Sequence, residues 1–421
     1  MAQKRIEEAN ISGYGEITFQ FRPEPTGSTA RLSAEPPGRE VFDVIENVGG
    51  HGTVGVLRNG AGKIVLVYVE MDALPILEEV GLPYASKVRM RDILDGRDGE
   101  DAPFMHTCGH DMHTVTLVVA ANCLSAARER WIGTLIRLLK PAKECGGGAK
   151  AMVGHRLDEW IPLPIISLAQ HIVTPGAGVL TLRSGPVLSA LDSWHVRVFV
   201  RGGHGSDPER CVDPIVLAAH ILVRLQSVIS REVPPGHVAV IFHAGTKDNI
   251  VPDLADMSLS MRTYDSSVRE TVLDAVKRVI EFGCEASEPP RSPFIDMVKE
   301  LGPVINNEDL IERLRSSFED AFAGEVKVMD RSMSCEGFPY LALNSIPYVY
   351  WNLGCINHNL WYKTKSNNKL EEILSHHSSK LAPDLYSSLE RGIDALVVAA
   401  LSSLGKTWIK PTSTTAIDGQ G

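Results

Sequence analysis

The first half of the chain contains two continuous apolar runs, residues 64–69 and 134–139, and polar residues follow each of them. Uninterrupted apolar runs of this length are typical of strands that are buried on both faces of a sheet. A helical pattern over residues 113–130 separates the two runs, so strand and helix alternate as in an α/β fold. The polar residues that follow the runs are Glu70, Asp72, Lys143 and Glu144. Because open α/β sheets bind ligands where their strands end, these positions predict a functional site.

The middle third of the sequence has a different order of elements: a strand, a helix, two strands and a helix. These segments are residues 194–201, 214–230, 237–243, 257–263 and 267–282. The order is that of a small ferredoxin-like layer, which a Pro-rich stretch at residues 289–293 is expected to close. We therefore predict a mixed-sheet catalytic domain into which a second domain is inserted. The predicted bounds are 1–188 and 304–421 for the two parts of the catalytic domain and 189–303 for the inserted domain.

Composition and charge narrow the class of protein and of partner. A chain of 421 residues, 44% of them hydrophobic, is long enough for two globular domains. Its net charge of −10 argues against nucleic acid and anionic membranes as partners, because both attract clustered Lys and Arg. Residues 1–10 lack the apolar run of a signal peptide, and no later segment is predicted to span a bilayer. Seven irregularly spaced cysteines favour a reducing compartment, so we expect a cytoplasmic protein that acts on a small molecule.

The densest group of metal-ligand residue types is the loop at residues 106–113, with the sequence HTCGHDMH. Cys108 and His110 are two residues apart, and a thiolate and an imidazole at this spacing can both face one ion. A loop whose histidines only cap a helix and form hydrogen bonds would contain the same residues. The loop alone therefore leaves both interpretations open.

Seven short motifs extend this loop into a recognisable series. They are DALP at 72–75, CGHD at 108–111, PAKE at 141–144, QH at 170–171, GHG at 203–205, NIVPD at 249–253 and HHS at 376–378. In their order and rough spacing the chain resembles the amidohydrolase branch of the M20 metallopeptidases, which includes auxin-conjugate hydrolases, hippurate hydrolases and N-acyl amino acid deacylases. The resemblance covers residues 45–404. It implies an α/β fold in which a zinc-exopeptidase-like catalytic domain with a mixed sheet carries an inserted ferredoxin-like lid and dimerisation domain.

The resemblance also implies roles for individual residues. Asp72 would orient a metal-bound imidazole, and His204 would stabilise an oxyanion from the inserted domain. Asn249 and Arg262 would bind the carboxylate of the substrate or the tetrahedral intermediate. The protein would form a homodimer through the inserted domain and bind one or two divalent ions, zinc or manganese. The implied metal ligands are Cys108, His110, Glu144, His171 and His377, with His376 as the alternative to His377.

Each of these roles has a structural alternative when its motif is taken alone. His171 could be a core histidine, and His376 and His377 could be a solvated pair. Asp72 could cap the end of a strand. The glycines beside His204 could mark only a tight turn.

The sequence departs from the family pattern at four positions around the implied site. Lys143 stands where the family has the glutamate that acts as general base, and an ammonium cannot accept a proton. Glu70 replaces an aspartate and Tyr68 replaces an arginine. Gly337 replaces an aspartate next to Glu336, a residue that we place in the substrate pocket. Lys143 could act as a neutral amine base, hold an anionic substrate, replace one cation of a two-metal site or form an imine with a carbonyl compound.

Three functions are compatible with these residues. The first is a metal-dependent amidohydrolase that cleaves an N-acyl amino acid or a related small amide. The second is a non-hydrolytic enzyme of small-molecule biosynthesis that forms or rearranges a bond on the same scaffold, because Lys143 replaces the general base. The third is a catalytically silent paralogue that only binds a ligand.

Overall fold

The computed structural model describes residues 42–91, 101–232, 237–244, 249–343 and 346–405. The strands are β1 (Asp43–Val48), β2 (Gly52–Asn59), β3 (Ile64–Glu70), β4 (Arg89–Arg91), β5 (Asp101–Pro103), β6 (Gly133–Lys140), β7 (Ile166–Gly176), β8 (Leu180–Leu182), β9 (Gly185–Leu188), β10 (Ala190–Phe199), β11 (Gly203–His204), β12 (His237–His243), β13 (Ile250–Val251), β14 (Leu254–Thr263), β15 (Phe294–Leu301), β16 (Val304–Asn306), β17 (Val326–Val328) and β18 (Tyr348–Ile356). The α-helices are α1 (His110–Ala126), α2 (Gly148–Gly154), α3 (Leu157–Trp160), α4 (Pro214–Ser227), α5 (Ser266–Glu285), α6 (Glu308–Ala321), α7 (His358–Ser366) and α8 (Leu385–Leu404).

An eight-stranded mixed sheet in the order β1-β2-β6-β3-β7-β18-β8-β17 forms the larger layer. Its central strands β6, β3, β7 and β18 are parallel to one another. Alternate residues of β3 enter two cores: Val65 and Val67 pack with α1 and α8 on one face, and Leu66 and Tyr68 pack with α2 on the other. Burial on both faces explains the continuous apolar run in the sequence. Because the central strands are parallel, their carboxyl ends lie at one edge of the sheet.

A four-stranded antiparallel sheet in the order β12-β14-β10-β15, with helices α4 and α5, forms the smaller layer. The predicted order of strand, helix, two strands and helix is observed. The structure adds a strand that was not predicted, because the Pro-rich stretch at residues 289–293 leads into β15, which pairs with β10. The bounds of the three predicted domains, and the lid and dimerisation role of this layer, stay predictions.

Two helices begin at other residues than the sequence pattern indicates. Helix α1 starts at His110 rather than at 113, because Gly109, with a φ of 75°, turns the chain directly into the helix. Helix α8 starts at Leu385 rather than at 381, because the Asp384 side chain caps it by accepting a hydrogen bond from the backbone N–H of Ser387. The predictions made for residues 1–10 and for the tail after residue 411 lie outside the described residues.

One helical stretch corrects the prediction that no segment could span a bilayer. In the described part of the chain, Pro214–Glu232 is long and apolar enough by length and composition, with a mean hydropathy of 1.2. Leu217, Ile221 and Leu225 of this stretch pack into the core of the smaller layer, which accounts for the apolar character of one of its faces. Core helices of soluble proteins pass the same test of length and composition.

Candidate active site

The carboxyl ends of β3 and β6, the start of α1 and the middle of β7 bring the candidate residues of the larger layer together. Gly109 makes this approach sterically feasible, because a Cβ at this position would lie 2.3 Å from Cδ1 of Ile172 in β7. A side chain at 109 would therefore push the loop away from the strand. The side chains that meet here are Glu70, Asp72, Cys108, His110, His113, Lys143, Glu144, His171, His376 and His377.

Two imidazoles in this group are oriented with one nitrogen directed into the site. His110 Nδ1 lies 2.8 Å from the Asp72 carbonyl oxygen and 3.1 Å from Asp72 Oδ1, so this nitrogen carries the proton. His171 Nδ1 likewise donates to the Ile172 carbonyl oxygen at 2.6 Å. The Nε2 atoms of both rings face the site, and His110 Nε2 is buried without a hydrogen-bond partner among the described residues. Burial opposes a second proton on these rings, but Cys108 and Asp72 raise the pKa of His110 well above its ordinary value, and Glu70 and Cys108 raise the pKa of His171. A buried imidazole nitrogen that faces anionic groups fits a metal ligand, because an ion can take the place of its proton.

Cys108 lies at the centre of the cluster. Its Sγ is 3.5 Å from His376 Nδ1, 3.8 Å from His171 Nε2 and 3.2 Å from Lys143 Nζ. Burial opposes ionisation of the thiol, but the charges of His110 and Lys143 outweigh it and lower the pKa of Cys108 well below its ordinary value. Cys108 is therefore favoured as a thiolate, the form that binds metal ions.

Glu144 connects the cluster to both Lys143 and His377. Its Oε1 lies 3.2 Å from Lys143 Nζ, 3.5 Å from His377 Nε2 and 3.8 Å from His110 Nε2. Its backbone N–H donates to Asp72 Oδ2 at 2.9 Å, so Asp72 holds the Glu144 backbone as well as His110. The two adjacent histidines thus have different contacts, since His376 faces Cys108 and the half-exposed His377 faces Glu144.

Two members of the cluster, Glu70 and His113, were given no catalytic, metal-binding or substrate-binding role from the sequence. The Oε2 atom of Glu70 lies 3.4 to 3.5 Å from nitrogens of His110, His113 and His171. Burial and the neighbouring His171 lower the pKa of His113 to about 3, so this ring is neutral. The spacing of His113 from His110, one helical turn, was the sequence signal that could have identified it.

Glu70 also belongs to a buried network behind the cluster. The Tyr68 hydroxyl oxygen lies 2.6 Å from Glu70 Oε1 and 2.8 Å from Glu336 Oε1, so the two carboxylates share its single proton. Lys140 Nζ donates to Glu336 Oε1 at 3.1 Å and lies 3.9 Å from Glu70 Oε1. Glu336 is 2% exposed and these partners contact its Oε1, so this buried position does not support the predicted contact with a substrate.

Three predicted residues belong to the smaller layer. His204 and Asn249 lie apart from this cluster, and Arg262 lies at the cavity beside it. His204 is exposed on β11, which pairs with β13, and the Gly205 N–H donates to the Asn249 carbonyl oxygen at 3.0 Å. His204 and Asn249 are therefore close to each other. Arg262 lies at the end of β14, donates to the Met333 carbonyl oxygen and faces the cavity described next.

A cavity of about 1310 Å³ opens above the cluster. Cys108, Lys143, Glu144 and His171 lie on its wall beside residues of the smaller layer and of the segment at 327–335. None of its five other lysine and arginine side chains has an ion-pair partner among the described residues. These basic residues are Arg262, Lys299, Lys327, Arg331 and Lys365. Unpaired cations around one cavity favour an anionic ligand.

The comparisons with known proteins give the cluster a family context. The model of peptidase family M20/M25/M40 matches residues 66–377. The chain belongs to this family. It is 34% identical over 265 residues to the hippurate hydrolase of Campylobacter jejuni, which covers 62% of this chain and 65% of that protein. It is 32% identical over 282 residues to the N-acyl-L-amino acid amidohydrolase of Geobacillus stearothermophilus, covering 66% of this chain and 65% of that protein.

Two solved structures share the fold over nearly the whole chain. A putative aminohydrolase from methicillin-resistant Staphylococcus aureus has a TM-score of 0.77 at 24% identity and covers 95% of this chain and 99% of its own. A dinuclear metal-binding M20 peptidase from Bacillus subtilis has a TM-score of 0.70 at 20% identity and covers 94% of this chain and 100% of its own. The predicted resemblance and α/β fold class are thereby confirmed, and the named relatives are hydrolases.

Proposed function

We propose that this chain is a metal-dependent amidohydrolase that cleaves the amide bond of an N-acyl amino acid or a related small amide. The observation that carries the proposal is the convergence of Cys108, Glu144 and His171, with His110 behind them, on a cavity wide enough for such a substrate. Relatives named hippurate hydrolase and N-acyl-L-amino acid amidohydrolase support this substrate class. We further propose that the protein acts in the cytoplasm as a homodimer formed through the smaller layer.

The residues present fit a divalent ion, which we propose to be zinc or manganese. His110 and His171 direct their Nε2 atoms into the site, Cys108 is favoured as a thiolate, and Glu144 supplies a carboxylate. A divalent ion held by these groups would act as a Lewis acid on the amide carbonyl. Asp72 fixes the orientation of His110 from behind, which is the role that a carboxylate plays toward a metal-bound imidazole.

The basic residues around the cavity provide the contacts for the carboxylate of the substrate. Lys327 and Arg331 are exposed side chains that line the same cavity as Cys108, and each contributes a positive charge without an ion-pair partner among the described residues. Such charges act on the binding of an anion more than on the chemical step, because they are remote from the scissile bond.

The double variant Lys327→Gln, Arg331→Gln should raise KM for an N-acyl amino acid about 10-fold with kcat nearly unchanged, since two partly solvated contacts contribute about 1.4 kcal/mol together. Steady-state kinetics at low salt measures this effect. Lys277→Gln on the exposed face of α5 is the matched control and should leave both constants unchanged. An unchanged KM in the double variant would show that the carboxylate binds elsewhere.

Lys143 favours a second candidate function. Its Nζ donates to Cys108 Sγ and Glu144 Oε1, both at 3.2 Å. Burial lowers the pKa of Lys143, but Cys108, Glu70 and Glu144 outweigh this and raise it well above the ordinary value. In the absence of a bound ion the ammonium form is thus stabilised, and an ammonium cannot act as an amine base. A reaction that needs no proton acceptor at this position, such as the formation or rearrangement of a bond, is the alternative.

The variant Lys143→Glu should hydrolyse N-acyl amino acids at least about 100-fold faster than the wild type, because a positioned general base contributes about 10²- to 10⁴-fold. A panel of N-acyl amino acids assayed with metal-loaded protein measures this. Lys143→Gln is the matched control, since it removes the ammonium without adding a base and should gain little. If only Lys143→Glu hydrolyses any substrate, the wild type carries out another reaction; if Glu and Gln behave alike, position 143 is not the base position.

A further inference from the structure

Four polar side chains form a row across one face of the larger sheet. Asn352 of β18 lies directly opposite His171 of β7 and Thr181 of β8. Thr181 in turn lies opposite Lys327 of the edge strand β17. Residues directly opposite each other in neighbouring strands point to the same face, and all four line the cavity. This polar row, formed by His171, Asn352, Thr181 and Lys327, therefore leads from the candidate metal cluster to the far edge of the sheet.

Asn352 is the residue of the polar row whose side chain lacks a partner. It is 8% exposed, and its Oδ1 atom is buried without a hydrogen-bond partner among the described residues. Its neighbours in β18, Trp351 and Leu353, are buried apolar residues, and asparagine is itself disfavoured in strands. Buried polar atoms in folded proteins nearly always have a partner. On a cavity wall, this side chain therefore indicates a ligand that donates a hydrogen bond to it.

Lys327 makes the far end of the polar row suitable for an anion. Its ammonium donates to the Gly324 carbonyl oxygen at 2.6 Å, which uses one of the three donors of an ammonium and holds the group beside β17. Arg331, on the segment that follows β17, lines the same cavity. Neither side chain has an ion-pair partner in the described part of the chain, so the two charges together favour a carboxylate.

The spacing of the strands sets the length of a ligand that spans the polar row. Neighbouring strands lie about 4.8 Å apart, so the distance from β7 across β18 and β8 to β17 is about 14 Å. A hydrogen bond of about 3 Å to Lys327 leaves about 11 Å for the ligand itself. This length corresponds to about three residues of extended chain at about 3.5 Å each. The carboxylate of a single amino acid would lie only about 3.5 Å beyond the scissile amide, where Lys327 acts on it as a longer-range charge.

The cavity and the middle of the polar row suit a peptide-like ligand of this length. The cavity of about 1310 Å³ exceeds the range of about 300 to 1000 Å³ that is typical of small-molecule sites. Peptide N–H groups recur about every 3.5 Å along an extended chain, so one of them can donate to Asn352 Oδ1. A peptide carbonyl oxygen can accept from the Asn352 amide or from the Thr181 hydroxyl. An alkyl chain in the same position would leave the Asn352 oxygen buried and unpaired, which is unfavourable.

We propose that the polar row is a subsite for a peptide-like extension of the substrate, about three residues long, which donates an N–H to Asn352 and ends in a carboxylate at Lys327. The preferred substrate is then an N-acyl peptide, which is longer than a single N-acyl amino acid. For the bond that is cleaved, this inference rests on the proposed amidohydrolase function. The preference for the longer ligand is a property of binding and is measurable without turnover.

Three probes test the proposal on full-length, zinc-loaded protein: N-acetylglycine, N-acetyltriglycine and the C-terminal amide of N-acetyltriglycine. Isothermal titration calorimetry gives the dissociation constant of a probe that stays intact, and the initial rate of acetate release gives KM for a probe that is cleaved. We expect the wild type to prefer N-acetyltriglycine over each of the other two at least about 10-fold, because only this probe has both the length and the terminal carboxylate.

Variants of the polar row separate its contacts. Asn352→Leu should reduce the preference for N-acetyltriglycine over N-acetylglycine at least about 5-fold, because leucine has a similar size and no polar atom. Thr181→Val should reduce the same preference, and Thr271→Val, at an exposed position of α5, is the matched control. Lys327→Gln should reduce the preference for the acid over its amide, with Lys277→Gln as the matched control.

Circular dichroism verifies that each variant is folded, and the comparison of the three probes on the wild type needs no variant. Equal affinity of the wild type for N-acetylglycine and N-acetyltriglycine would overturn the proposal, as would an unchanged preference in folded Asn352→Leu and Thr181→Val. Equal affinity for the acid and its amide would overturn the assignment of Lys327. A preference for N-acetyltriglycine without acetate release would support the subsite and refute the proposed function, whereas release of acetate from both acids with equal KM would do the reverse.

Discussion

The variant Lys140→Met is expected to lower the free energy of unfolding by about 3 to 5 kcal/mol, the usual effect of removing one partner from a buried ion pair. Lys140 is 1% exposed, and its ammonium is 3.1 Å from Glu336 Oε1 and 3.9 Å from Glu70 Oε1. Met has a similar volume and fills the space. The decrease in the free energy of unfolding therefore measures the cost of leaving the carboxylates of Glu336 and Glu70 without their cation. Chemical denaturation with urea measures the change.

The loss in Lys140→Met should also depend on pH. Burial and repulsion from Glu70 raise the pKa of Glu336 to about 7 from an ordinary value of 4.5, although Lys140 opposes this rise. The folded protein therefore holds a proton that the unfolded chain releases between these two values, and Glu336 lowers stability as pH increases through that window. Without Lys140 the pKa of Glu336 rises further, so the variant should lose more stability at about pH 8 than at about pH 5.

The control for this prediction is Lys150→Met, which removes a lysine from a half-exposed pair with Glu300. It should change the free energy of unfolding by less than about 1 kcal/mol, with no comparable dependence on pH between the two conditions. Equal losses in the two variants would contradict the assignment of Lys140 as the counter-ion of the buried carboxylates.

The four departures from the family pattern are neighbours in the folded protein. Tyr68 contacts Glu70, Glu70 contacts the imidazole of His110, and the charge of Glu70 also acts on Lys143. A side chain at Gly337 would begin 3.6 Å from Lys140 Nζ, so an aspartate there would reach Lys140. In this chain Glu336 accepts from Lys140 instead, and the Gly337 N–H donates to the same carboxylate at 2.7 Å. These changes therefore act on one electrostatic network and not on separate surfaces.

The sequence predicted those features that depend on local pattern. The apolar runs at 64–69 and 134–139 are β3 and β6, and the polar residues after them meet at one edge of the sheet. Both strands lie between two cores, so hydrophobic periodicity was sufficient to identify them. The order of strands and helices in the smaller layer was predicted from the periodicity of its apolar and polar residues in the same way. Strand β15 was missed because its exposed edge residues, such as Phe294 and Met297, do not show a buried pattern.

The role of Glu70 could not be derived from the sequence for a different reason. A carboxylate at the end of a strand can contact many different groups. Only the fold places Glu70 against helix α1 and strand β7 at the same time. The same holds for Lys140. In the sequence it is the polar residue that ends an apolar run, whereas in the structure it is buried and its ammonium contacts Glu336. Contacts between residues distant in sequence depend on topology, and local periodicity carries no information about them.

The variant His110→Ala is expected to weaken both Zn²⁺ binding and any metal-dependent hydrolysis at least about 1000-fold, because a ligated metal ion contributes several kcal/mol to the transition state. The ring supplies a buried Nε2 without a hydrogen-bond partner among the described residues, and alanine offers no atom that could replace it as a metal ligand. Competition with a chromophoric chelator gives the affinity, and assays with the wild-type substrate give the rate.

His106→Ala is the control, because it removes a histidine of the same loop whose Nε2 lies 3.3 Å from the Met71 carbonyl oxygen. Zn²⁺ affinity should stay close to that of the wild type. The pair of variants separates the two interpretations that the sequence left open for residues 106–113. If these histidines only capped α1 and formed hydrogen bonds, both variants would lose stability and neither would lose a metal ion; a selective loss in His110→Ala identifies the loop as part of a metal site.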